Sequence, residues 1–149
     1  MSEHRVTLNW MRSSSDFKYE TYNREHSWSF DGGAEIQASA SPAYRGKPEC
    51  VDPEEALVAA ISSCHMLTFL ALACKKQLIV DSYEDDAVGY LEKNAHGKLA
   101  VTHAVLRPRI RFGGSKAPTP EELAQLHDRS HHECFIANSV LTEVTVEPR

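Results

Sequence analysis

The stretch DPEEALVAAISSCHMLTFLALAC, residues 52–74, decides how the rest of the chain is read. Asp52 can accept a hydrogen bond from a free backbone N–H of a first helical turn. Pro53 suits the next position, because its missing N–H has no helical partner to lose. Glu55 stands three residues after Asp52 and completes a capping box, with Asp in place of Ser or Thr. Between Ala56 and Cys74 only Ser62, Ser63, His65 and Thr68 are polar, and no Pro or Gly interrupts the run. The stretch predicts one long helix buried on every side, since a surface helix would carry a polar stripe.

A run of roughly 20 apolar residues is also long enough to span a membrane. Ser62, Ser63 and His65 at its centre, and the amphipathic strands elsewhere, favour a core helix instead. Its own sheet would cover one side and a second subunit the other. Cys64 lies well inside this helix, beyond the first turn in which the helix dipole acts. It is either an inert core cysteine or a thiolate stabilised by some other charge, a guanidinium being the candidate.

With 149 residues the chain has room for one domain, 1–149, with a real core. The net charge of −5 and the lack of a basic run argue against nucleic acid or an anionic membrane surface as partner. Met1-Ser2-Glu3-His4-Arg5 has no apolar segment, so no secretory signal is expected and the location expected is cytoplasmic. Cysteines 50, 64, 74 and 134 lack the spacing of a metal ribbon and are expected to be reduced or catalytic rather than structural staples.

Val6, Leu8 and Trp10 alternate as in a strand over 5–11, and Ser27 to Phe30 repeats the pattern. Residues 17–22 either extend or pair back. Asp31-Gly32-Gly33 is a tight turn before a third strand over 34–40, which makes a meander. Residues 41–52 read as a loop. After the helix, 79–91 and 99–112 read as two strands joined at Asn94-Ala95-His96-Gly97, with Pro108 where no ladder bond is needed. Arg107, Arg109 and Arg111 read as one solvated face. Thr119 and Glu122 form a second capping box opening a helix that runs to about His132, followed by a short turn or helix over 134–138 and a strand over 142–147. The order predicts a mostly antiparallel α+β fold.

Three constellations could carry chemistry. Cys64 and Cys134, on separate helices, could act as attacker and resolver in peroxide reduction, passing through a sulfenic acid and a disulfide. His127, His131 and Cys134 stand at i, i+4 and i+7, one face of a helix if it continues that far, and could hold zinc, or be structural histidines. Cys64 with His103 or His131 could form a hydrolase pair, whereas His65, its neighbour, points about 100° away on the helix. Cys74 lies ~15 Å along the axis from Cys64 and cannot pair with it in one chain.

Residues 52–64, Asp-Pro-Glu-Glu-Ala-Leu-Val-Ala-Ala-Ile-Ser-Ser-Cys, closely resemble the helix motif of the OsmC/Ohr family, the osmotically inducible and organic-hydroperoxide-resistance proteins. His132-Glu133-Cys134-Phe135-Ile136-Ala137-Asn138-Ser139 resembles the family's second-cysteine motif. Cys-Phe-Ile-Ala-Asn replaces the Cys-Pro-Tyr-Ser-Asn of the Ohr branch, and His65-Met66 follows Cys64, so the chain is closer to an OsmC-like branch. The resemblance implies an OsmC-like fold, an intertwined homodimer, and a thiol peroxidase that reduces organic hydroperoxides and is recycled by a dithiol (lipoyl or another thiol). It implies no cofactor, no metal and no membrane partner. Cys64 matches the peroxidatic cysteine and Cys134 the resolving one. Glu54 matches a glutamate that orients the active-site arginine. Arg24 fits that arginine best, Arg45 is its rival, and Arg12 and Arg5 fit less well. Met66, Leu67 and Phe135 would favour bulky alkyl peroxides. Glu54 and Cys64 are ~15 Å apart along one helix, so two antiparallel helices crossing at a two-fold axis would bring Glu54 of one chain to the other chain's site. The competing readings are a non-enzymatic module of the same fold that binds zinc or a small ligand, and a slow thiol redox sensor.

Overall fold

The computed structural model describes residues 1–149, which group into two units, Met1–Ala56 and Leu57–Arg149. In the first unit, β1 (Val6–Asn9), β2 (His26–Phe30) and β3 (Glu35–Ala38) form an antiparallel sheet in which Trp28 stands opposite both Leu8 and Ile36. Gly33 turns the β2–β3 hairpin with φ 84°, its N–H donating to the Phe30 carbonyl. Residues 17–22 make a turn closed by the Thr21 and Tyr22 N–H groups on the Lys18 carbonyl. The loop after β3 contains a 3₁₀ turn, Pro42–Tyr44, and folds back tightly at Gly46, where an added Cβ would lie 1.4 Å from the Ala40 oxygen. The unit ends in the first turn of helix α1 (Pro53–Lys75). There the Glu55 N–H donates to Asp52 Oδ1 at 2.8 Å and the Asp52 N–H donates to Glu55 Oε2 at 3.2 Å, the two bonds of the expected capping box.

In the second unit α1 supplies two core clusters. Ile61 packs with Ala104 and Leu106, joined by Leu57, Val144 and Val146. Phe69, Leu72 and Ala73 pack with Leu78 and Leu126, joined by Tyr83, Ile110 and Phe112. Gly89 lets the helix come close to the sheet, since a Cβ there would lie 2.4 Å from Val58 Cγ2. The helix closes at Gln77, which takes φ 59° while the Leu78 N–H reaches back to the Ala73 carbonyl. By length and composition α1 could cross a membrane; Ile61, His65, Phe69, Leu72 and Ala73 are instead buried in the protein. Burial on every side is not found in the single chain. Ala59, Ser63, Leu67, Ala71 and Cys74 form an exposed stripe at helical spacing, with Leu67 60% exposed.

The two long strands expected after α1 each break in two. They are β4 (Ile79–Asp85), β5 (Val88–Lys93), β6 (Leu99–Leu106) and β7 (Pro108–Gly113). All pairings are still those of one antiparallel hairpin, β4 with β7 and β5 with β6, but they fall in separate sheets. The break has a specific cause. The Asp85 carboxylate accepts the Arg107 N–H at 2.6 Å, diverting it from a ladder, and is held to α1 by the Ser62 hydroxyl; Pro108 has no N–H to give. The three arginines are ion-paired across the strands, Arg107 to Glu147, Arg109 to Glu84 and Arg111 to Asp81. Helix α2 (Pro120–Glu133) opens with the Thr119–Glu122 capping box, and its apolar face delivers Leu126 to the core. A 3₁₀ turn, Ala137–Ser139, leads to β8 (Glu143–Val146), which runs parallel to β6. The fold is α+β and mostly antiparallel, with that one parallel pair.

Candidate active site

Cys64 and Cys134 come together inside the second unit. Cys64 is half-buried on α1, where Thr68 Oγ1 donates to its carbonyl at 2.9 Å. Cys134 is fully buried and ends α2: its backbone turns extended, and its N–H still donates to the His131 carbonyl. The turn after it is held shut by Asn138, whose side-chain amide donates to the His132 and Cys134 carbonyls at 2.9 Å each. The Ala137 N–H donates to Cys134 Sγ at 3.4 Å. Burial pushes the Cys134 thiol pKa up; the backbone N–H groups at its sulfur oppose this, and the adjoining Cys64 thiol adds to it. Cys134 is therefore a protonated thiol at neutral pH. Both thiols are free. Cys64 faces a groove of about 810 Å³ walled by Ala60, Leu67, Thr68, Phe135 and Ile136. Leu67 and Phe135 line it as expected; Met66 does not.

Two histidines of this unit meet in a pairing that the sequence did not reveal: His127 is one of the candidate zinc-face residues, and His65 is the neighbour of Cys64. His65 Nε2 and His127 Nδ1 are 3.1 Å apart, the rings stack within 9° of parallel, and both residues are buried. Burial, with smaller effects from His127 and His131, pushes His65 down to about 4. Burial does the same to His127, to about 4, against the opposing pull of Asp85. Their remaining nitrogens, His65 Nδ1 and His127 Nε2, have no protein partner. Periodicity marked His127 and His131 but could not reveal a partner 62 positions away. His127, His131 and Cys134 do not converge on a metal-binding geometry, because the chain leaves the helix at Cys134. His103 packs against the Tyr90 ring, with ring centres 4.9 Å apart.

The remaining sequence-derived residues belong to the first unit. Arg24 is buried; its guanidinium donates to the Tyr19 and Tyr22 carbonyls and lies 3.7 Å from the centre of the Tyr22 ring. It helps line a pocket of about 440 Å³ with Trp10, Phe17, Tyr22, His26 and Pro53. Arg45 is exposed, has φ 63°, and stands 5.8 Å from the centre of the Tyr19 ring. Arg12 bonds only the nearby Ser14 carbonyl, and Arg5 pairs with Glu3 near the chain end. Glu54 is half-buried in the first turn of α1.

A family model described as OsmC-like protein matches residues 46–149. No curated protein matches the sequence significantly. Among solved structures, the chain is similar to an OsmC-like protein of unknown function from Vibrio cholerae, with 50% identity, a TM-score of 0.96 and full coverage of both chains. It shares its fold with an organic hydroperoxide resistance protein from Elizabethkingia anophelis, at 16% identity and TM-score 0.75, covering 99% of this chain and 96% of that one. The organic hydroperoxide resistance protein OhrB of Bacillus subtilis is also 16% identical, with TM-score 0.69 and coverage of 99% and 98%.

Proposed function

The chain belongs to the OsmC-like family, and from that premise we propose that it is a cytoplasmic thiol peroxidase that reduces organic hydroperoxides. The observation that carries this reading is the meeting of one half-buried and one fully buried thiol, both reduced, beside an apolar groove. The thiolate sulfur of Cys64 attacks the distal peroxide oxygen. The O–O bond breaks, its electron pair leaves on the proximal oxygen, and that alkoxide takes up a proton to become the alcohol. Cys64 is left as a sulfenic acid. The Cys134 thiol condenses with it, an S–S bond forms, and water leaves. An external dithiol, lipoyl or another, reopens the bond by exchange and is itself oxidised.

The proposal assigns Arg24 to stabilise the negative charge on Cys64 and on the departing alkoxide, and Glu54 to orient Arg24. What supports Arg24 over Arg45 is its fixed state: both arms of its guanidinium are held by carbonyls and its face by tyrosine. No cofactor is required. The working molecule is proposed to be a homodimer.

Stopped-flow oxidation of the reduced protein by tert-butyl hydroperoxide, beside Cys64→Ser, tests the reading. The expected result is rapid loss of two thiols per chain in the native protein and none in the variant. Unchanged thiol loss in Cys64→Ser would remove Cys64 from the mechanism.

A further inference from the structure

The reaction just proposed needs two sulfurs that lie on different helices to close on each other. Cys64 is carried by α1, and Cys134 ends α2. Apolar packing of Phe69, Leu72 and Ala73 with Leu126 brings the helices together, but the hydrophobic effect that drives it is non-directional. A hydrogen bond between buried groups is directional and costly to break. One side-chain hydrogen bond joins α1 to α2, and it is His65 to His127. His65 is the residue next to Cys64. His127 lies two turns before Cys134 on a helix whose end is locked by Asn138.

We propose that the His65–His127 hydrogen bond is a positioning device that holds α1 and α2 in the register at which the Cys64 and Cys134 sulfurs can form a disulfide. Neither histidine touches the reacting atoms in this role. Both rings are neutral at neutral pH, so one donates its N–H and the other accepts. Each ring has no other protein partner, so loss of one leaves the other buried and unpaired. The Phe69 ring packs tilted by 30° against His127, with ring centres 4.7 Å apart, and limits its rotation.

The inference rests on Cys64 and Cys134 being a disulfide-forming pair, but not on peroxide being the oxidant. Its test therefore uses two oxidants on the full-length reduced protein. Cumene hydroperoxide reports both steps, with sulfenic acid trapped by dimedone and followed by mass spectrometry. Diamide closes the same disulfide without a peroxide. His127→Leu removes the bond. His127→Asn keeps an amide near the Nδ1 position and serves as the conservative rescue. His65→Leu and His65→Gln repeat the design from the other helix, the Gln amide standing near Nε2. Circular dichroism selects the variants that fold.

In His127→Leu the first step should stay within about twofold of native, while disulfide closure slows at least about tenfold and trapped sulfenic acid accumulates. His127→Asn should recover most of the closure rate. A tenfold loss in the closure equilibrium would appear as a shift of about 30 mV in the Cys64–Cys134 potential measured in dithiothreitol buffers. A merely structural histidine would lower the melting temperature and leave closure and potential unchanged; that outcome overturns the proposal. Closure by diamide but no reaction with peroxide would remove the peroxidase reading and leave the positioning role standing if the leucine variant still closes slowly. No disulfide with either oxidant in the native protein would overturn both.

Discussion

Cys134 is held neutral by its surroundings, and that neutrality sets its chemistry. A buried thiol with a raised pKa is a poor first attacker, because the thiolate is the nucleophile. It can still condense with a sulfenic acid beside it. Cys134→Ser should therefore keep the first oxidation step and stall at the sulfenic acid. Arg24 and Arg45 differ in how firmly they are held. Arg24→Lys replaces a planar fork, fixed by two carbonyls and an aromatic face, with a flexible point charge. We expect it to slow Cys64 oxidation by about 100-fold, and Arg45→Lys to leave the rate within about twofold. The reverse ranking in stopped-flow traces would hand the role to Arg45. The two buried imidazoles also predict a pH profile. Their folded pKa values, about 4, lie below the ordinary 6.5, so the unfolded chain takes up protons first as pH falls. Stability from the pair is fully present above pH 6.5 and is lost progressively down to pH 4. His131, facing His65, deepens the loss, while Asp85, near His127, reduces it. The first proton alone should cost about 3 kcal/mol. Glu25, Glu84 and Glu133, held below their ordinary range, lose their contributions only at lower pH. Urea unfolding at pH 7.5, 6 and 5 should show the decline in native protein and a flatter profile in a folded His65→Gln variant.

At the level of elements, the helices are set by signals that lie within four residues of where they act. Asp52, Pro53 and Glu55 start α1, and Thr119 and Glu122 start α2, with the same reciprocal bonds that the sequence implies. Strand breaks are different. The kink after β4 depends on Asp85 meeting Ser62 and Arg107, partners more than 20 positions away, and alternation alone runs straight through it. The parallel pairing of β8 with β6 and the His65–His127 bond share this non-local origin. The thiol pair was legible only through its likeness to a two-cysteine motif, since spacing carries no information on whether residues 64 and 134 meet. Close approach of helix and sheet at Gly89 gives an element-scale prediction. Gly89→Ala drives a methyl group into Val58 and should destabilise the protein by about 1–3 kcal/mol. Adding Val58→Ala opens the needed space, so the double variant should be more stable than the two single effects combined. Strict additivity in urea unfolding would mean that the contact at Val58 is not what excludes a side chain there.

At the scale of the whole molecule, the open face of α1 calls for a partner. Ala59, Ser63 and Ala71 are small and allow another helix close, Leu67 is 60% exposed at the centre of the stripe, and Phe135 is 82% exposed. A second copy of the chain related by a two-fold axis would bury this face against itself. Sedimentation should then give a dimer for the native protein and a monomer for Leu67→Asp, which places a charge in the proposed seam. A native monomer at tens of micromolar would end the dimer proposal. Such a dimer would have a catalytic consequence. Ten helical positions separate Glu54 from Cys64, about 15 Å along α1, whereas an antiparallel crossing would bring Glu54 of the partner subunit toward the first chain's thiol. Glu54→Gln and Cys64→Ser should each abolish most activity as homodimers. Unfolded together and refolded, they should form mixed dimers in which the one remaining Cys64 is served by the intact Glu54 of the other chain. Activity should rise to about a quarter of native, since half the dimers are mixed and each holds one working site. If Glu54 served the thiol of its own chain instead, every Cys64 in the mixture would face a glutamine and no activity would return.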